Sequence, residues 1–125
     1  MSTPTLNTFV REEAESLTLQ GSYKVKSVTK IKVETIATII ESYCKSEFPD
    51  FLSVDVEGLD LRIIQSINFN QHRPTVICAE TLSFSESGNG KKNKDLIGYL
   101  RKAGYILYAD TNINTIFVSE DKWIR

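Results

Sequence analysis

One histidine, two cysteines and a net charge of −1 deny this 125-residue chain many of the side chains from which familiar sites are built. Cys44 and Cys78 fall in different predicted elements and lack the spacing of metal ligands, so both read as core-packing residues. His72 sits in Asn70-Gln71-His72-Arg73-Pro74, a turn ahead of a strand. In a parallel sheet that is the wrong end for catalysis, and the residue reads as a solvated loop histidine. No glycine-rich turn of the dinucleotide or P-loop type joins a strand to a helix, and Gly88-Asn89-Gly90 follows no strand directly. A nucleophile elbow, a zinc pattern and a Ser/His/Asp set are missing as well. With 15 basic and 16 acidic residues, nothing in the overall charge draws the chain to nucleic acid or to an anionic membrane. No apolar run is long enough to span a bilayer. Met1-Ser2-Thr3-Pro4-Thr5 has neither the charged nor the apolar region of a secretory leader, so a cytoplasmic location is the expectation.

What remains is a chain that is 41% hydrophobic and 25% charged, the composition of an ordinary globular domain or of part of a larger one. At this length roughly two-thirds of the unfolded surface can be buried. Phe9, Val10, Ala14 and Leu17, with Glu12 and Glu13 early, predict a short helix over about 10–19. Partial alternation from Tyr23 to Val33 predicts one or two half-exposed strand segments. Thr35 can cap a helix carrying Ile36, Ile39, Ile40, Tyr43 and Cys44 on one face. Pro49 ends it, and an apolar strand over 51–56 follows. After Gly58 a helix turns Leu61, Ile64 and Ile67 inward, and a strand over 75–80 comes next. Residues 82–94 read as a polar loop in which Lys91, Lys92 and Lys94 are solvated. Asp95 is a plausible cap for a helix bearing Leu96, Ile97, Leu100 and Ala103, with Gly104 as its C′ residue. Tyr105–Asp110 and Thr115–Ser119 read as a hairpin. Tyr99 and Tyr108 read as packing residues, and Trp123 as a tail residue covering an apolar patch. The alternation of strand and helix predicts an α/β fold: parallel strands with flanking helices and a C-terminal antiparallel hairpin.

The chemistry concentrates in Asp50-Phe51-Leu52-Ser53-Val54-Asp55-Val56-Glu57-Gly58. Ligands in open α/β sheets bind just beyond the carboxyl ends of parallel strands, where Asp55 and Glu57 would sit. Gly58 permits the tight turn that must follow. If the strand persisted to Gly58, the two acids would share a face. Glu80, ending the neighbouring strand, would lie roughly 5 Å away across the sheet. Three such acids suit a divalent cation, deprotonation of a hydroxyl, or a substrate amine. They are equally readable as one helix cap and two solvated side chains.

These same residues carry a family resemblance. Asp50–Gly58 resembles the "D-x-E-G" segment of FkbM-type methyltransferases. Arg73-Pro74-Thr75-Val76-Ile77-Cys78-Ala79-Glu80 is similar to their "R-P-x-x-I-x-x-E" strand. Tyr99-Leu100-Arg101-Lys102-Ala103-Gly104-Tyr105 and the closing Asn114-Thr115-Ile116-Phe117-Val118 follow in the family's order. The resemblance covers about residues 33–119. It divides the chain into an N-terminal segment (1–32), the C-terminal half of a methyltransferase domain (33–119) and a tail (120–125).

The resemblance implies a Rossmann-like class I sheet and S-adenosylmethionine as methyl donor, with a hydroxyl on a sugar, lipid or natural product as acceptor. It implies Asp55 as base or acceptor-positioning group, with Glu57 beside it, and Glu80 and Asn114 on the acceptor. The family's glycine-rich cofactor turn and ribose-binding acid belong to a first half without counterpart here, so no cofactor-binding residue is assigned. In this topology the family's first strand lies beside strand 51–56, which without it becomes an open edge, prone to self-association or to pairing with a second polypeptide. Two other readings stand beside the enzyme. One is a non-catalytic module or fragment that completes another chain's sheet. The other is an α/β domain holding a divalent metal through Asp55, Glu57 and Glu80.

Overall fold

A computed structural model describes residues 11–19, 21, 24–56, 58–83 and 90–123 of the chain. The helix predicted at the start is α1, Arg11–Leu19, with an exposed Arg11–Glu15 ion pair one turn apart. Thr35 caps α2, Ile36–Tyr43, by accepting from the Thr38 N–H. Only Ile40 of that helix is buried; Ile39 and Tyr43 face solvent.

Strand β1, Phe51–Val54, leads through the Gly58 turn into α3, Asp60–Gln65. Gly58 has φ 97°, the left-handed region that favours glycine. β2, Val76–Glu80, lies parallel to β1, with Phe51 opposite Val76 and Val54 opposite Ala79. Helix α4, Lys94–Lys102, ends at Ala103-Gly104, and the hairpin β3 (Tyr105–Asp110) and β4 (Asn114–Ser119) follows. The sheet order is β1-β2-β4-β3, so the last strand lies between β2 and β3 and runs against both. β3 therefore runs in the same direction as β1 and β2.

One face of this sheet carries the core. Ile77, Ala79 and Phe117 meet Ile64 of α3 and Leu96 and Leu100 of α4, all with essentially no exposure. Leu52 and Leu61 pack against the same cluster. On the other face Val76, Cys78, Ile116 and Val118 are half-buried. Alternation along the strands sorts the two sets, as a pleated backbone requires.

Several expectations change. Residues 24–33 form no strand; every one is exposed and none pairs with a neighbour. A strand needs a ladder partner to satisfy its backbone, and none of the described residues pairs with this segment. Tyr23 lies outside the described residues. β1 ends at Val54, so the shared face expected for Asp55 and Glu57 is not provided by strand alternation. Phe51 is exposed, because it lies in register with Val76 on the less covered face of a strand that has one neighbour among the described residues. Cys44 and Cys78 are half-buried rather than core residues: Cys44 is the C-cap of α2, and Cys78 points to the less covered face.

The α4 cap is Asn93, whose side chain accepts from the Leu96 N–H, while Asp95 is exposed in the first turn. Its predecessor Lys92 is not simply solvated, because it bridges to the hairpin. His72 is half-buried and stacks on Phe48 at 5.3 Å. Tyr108 is exposed on one side and meets the half-buried Trp123 ring at 5.4 Å. No helix among the described residues is long and apolar enough to cross a membrane.

Candidate functional site

Because β1, β2 and β3 share a direction, their carboxyl ends and the amino end of β4 form one edge of the sheet. Asp55 follows β1 there, Glu80 ends β2, Asp110 ends β3 and Asn114 begins β4. Glu80 and Asn114 are direct register partners, both half-buried. Asp55 directly follows Val54, whose register partner Ala79 directly precedes Glu80, so the two acids leave the ends of adjacent parallel strands. Asp55 is exposed and open to an incoming molecule. The structure thus brings three of the four sequence-predicted residues to one edge. The fourth, Glu57, lies outside the described residues. Among the described residues no three His, Cys, Asp or Glu side chains gather as a metal-binding group.

Asp60, the first residue of α3, also belongs to this edge. It is 5% exposed at the start of α3, and its Oδ1 accepts from the Val56 N–H at 3.0 Å. The bond reaches back across the turn and fixes its geometry. The second oxygen, Oδ2, is buried without a hydrogen-bond partner. Burial raises the Asp60 pKa above the usual carboxylate value; hydrogen bonds from the Val56 and Glu80 backbone oppose the rise, and the nearby Asp55 charge adds to it. The available signal was an Asp two residues after Gly58, placed to accept from the residue four before it.

At the far end of the same edge Lys92 acts as a bracket. Its Nζ donates to Asp110 Oδ1 at 2.7 Å, to Thr81 Oγ1 at 3.1 Å and to the Asn112 carbonyl. Thr81 and Thr115, both buried, share a hydrogen bond of 2.6 Å. Asp110 also accepts from the Asn112 N–H at 2.8 Å. These bonds, led by that of Lys92, hold the Asp110 carboxyl below its ordinary value. Among the acids of this edge, Asp110 is committed to structure, whereas Asp55 is presented to solvent.

The opposite edge carries the Arg-Pro and Gly-Tyr motifs. Arg73 donates from Nε to Ser119 Oγ at 3.0 Å, and from Nη1 and Nη2 to the Ala103 and Gly104 carbonyls at 2.7 and 2.9 Å. Tyr105 donates to the Pro74 carbonyl at 2.6 Å. Gly104 has φ +90°, and a Cβ there would stand 2.9 Å from Arg73 Nη2. These motifs clamp the hairpin to β2, remote from the acidic edge.

An α/β sheet that gathers acids at the carboxyl ends of its like-directed strands is the kind of scaffold on which small-molecule chemistry is built. The model of the methyltransferase FkbM domain matches residues 3–107, most of the chain, which therefore belongs to the FkbM methyltransferase family. The match takes in Asp50–Gly58, Arg73–Glu80 and Tyr99–Tyr105, while Asn114–Val118 lies beyond its end. No curated protein and no solved structure gives a significant match.

Proposed function

We propose that the carboxyl edge is the acceptor side of an O-methyl-transfer site, receiving a hydroxyl of a sugar, lipid or natural product. The observation that carries this reading is the row formed by exposed Asp55 and the register pair Glu80–Asn114. A carboxylate accepts a hydrogen bond from the hydroxyl and takes its proton as the oxygen attacks, while neighbouring acid and amide groups fix the alignment that in-line displacement demands. Asp55 is assigned the first role; Glu80 and Asn114 orient the acceptor. Glu57 is assigned a place beside Asp55 on the family pattern alone.

S-adenosylmethionine would supply an electrophilic methyl group at such a site. The described side chains at this edge fit a hydroxyl, which needs hydrogen-bond acceptors, and none is assigned to the cofactor. Asp60 supports Asp55 by pinning the turn that presents it.

Calorimetric titration of the full chain with S-adenosylmethionine tests whether this chain works alone. Heat of binding that persists in Asp55→Asn is expected, since Asp55 serves the acceptor. No heat at millimolar cofactor overturns catalysis by this chain on its own.

A further inference from the structure

Besides β3, the sheet's other edge, two strand elements among the described residues lack a partner on at least one side. Among the described residues β1 is hydrogen-bonded to β2 on one side and to no strand on the other. Val76 N–H donates to the Asp50 carbonyl at 2.9 Å, so the backbone groups of residues 50, 52 and 54 face β2 and those of Phe51 and Ser53 face the open edge. Phe51 is 58% exposed. The second element is residues 24–33, Lys-Val-Lys-Ser-Val-Thr-Lys-Ile-Lys-Val, which have a strand-like composition and no strand partner. Val28 and Val33 are 89% and 72% exposed, and Val25 and Ile31 are more than half exposed.

Both elements have bonding capacity or apolar surface that no described neighbour takes up. An edge strand presents a row of unpaired N–H and C=O groups, and apolar side chains left in water forgo the burial free energy of about 25 cal/mol per Å². In this structure the segment forms no ladder with β1 of its own chain. The charges are complementary between the two elements. Lys24, Lys26, Lys30 and Lys32 stud the segment, while β1 is bracketed by exposed Asp50 and Asp55.

We propose that residues 24–33 of one copy add as a strand to the open edge of β1 in a second copy. Main-chain hydrogen bonds supply the affinity, lysine–aspartate pairing selects this edge, and reciprocal exchange satisfies both edges of a two-fold dimer. The inference is independent of the methyl-transfer reading, and its test uses no cofactor.

Sedimentation equilibrium and hydrogen exchange on the full chain, over a range of concentrations, decide the matter. A monomer–dimer equilibrium is expected, with amides of 24–33 and of Phe51 and Ser53 gaining protection as dimer forms. Ser53→Pro removes an N–H that serves only the open edge and should abolish the dimer. Ser27→Pro/Lys30→Pro blocks both alternations of the exposed segment, touches nothing in the monomer's core, and should do the same. A monomer at every concentration, or a dimer indifferent to the segment variant, overturns the proposal. So does a dimer in which 24–33 exchanges freely, since β1 would then be pairing with something else. Protection of 24–33 that ignores concentration also overturns it, because the segment would have folded onto its own chain.

Discussion

The guanidinium carbon of Arg73 lies 4.7 Å from the centre of the Tyr105 ring, stacking a cation on an aromatic face from a neighbouring motif. The same two residues fasten opposite sides of one joint: Arg73 reaches the Ala103 and Gly104 carbonyls, and Tyr105 reaches the Pro74 carbonyl. The joint ties the start of β2 to the start of β3 although these strands are not neighbours in the sheet.

Arg73→Lys should therefore destabilise the chain by about 2–3 kcal/mol, because a lysine ammonium does not reproduce the forked geometry. Gly104→Ala should cost about 1–3 kcal/mol through its positive φ and the contact with the same guanidinium. Urea denaturation measures both. Additive losses in the double variant would show that the two positions do not share the joint.

Tyr105→Phe leaves the Pro74 carbonyl without its phenolic donor and should cost about 1–3 kcal/mol. Burial, partly offset by Arg73 and reinforced by Asp121, pushes the Tyr105 pKa up to about 12. A raised folded-state value means that this group's contribution is whole below pH ~10 and is lost as pH rises toward ~12. Alkaline denaturation followed by phenolate absorbance should show wild type losing that contribution over this interval, and Tyr105→Phe should lack the loss.

For Asp60 the sign is the same, at acidic pH. Burial raises its folded-state pKa, so its contribution is fullest below the ordinary aspartate value of 3.8 and falls as pH rises through the raised value. Asp60→Asn removes that dependence. The stability of the variant relative to wild type should grow as pH rises through this range and then level off. Urea titrations at a series of pH values check it; a difference that shrinks with rising pH would refute the assignment.

Lys92→Gln should release Asp110. Its carboxyl, held low first by the Lys92 hydrogen bond, should titrate closer to the ordinary value in the variant. The wild-type contribution is present above the unfolded-state pKa and fades as pH falls through the depressed one. Carbon-detected NMR titration of the Asp110 side chain reads the shift directly.

Much of the local structure was legible because periodicity is a local property. The 10–19 and 36–43 helices and the strands near 51–56 and 75–80 follow from spacing alone. The fate of 24–33 was not, because an alternating pattern shows that a segment can form a strand without showing that a partner exists. The choice of Asn93 over Asp95 as cap was hidden for another reason: both residue types cap well, and position decided between them. At the site, Asp55 and Glu80 were legible from strand ends and Asn114 only from the family resemblance, and all three fall on one edge. The burial of Asp60 and the bracketing by Lys92 depend on how distant elements pack, which no spacing records.

The place of β4 in the sheet has a consequence for synthesis. Residues 114–119 come last in chain order among the described strands, yet they occupy a central position with a partner on each side. Until Ser119 has left the ribosome, β1–β2 and β3 are two pieces with a slot between them, and α4 has half a floor to rest on. A nascent chain halted before Asn114 would present both faces of that slot to chaperones and proteases, so the sheet closes only once β4 has been made.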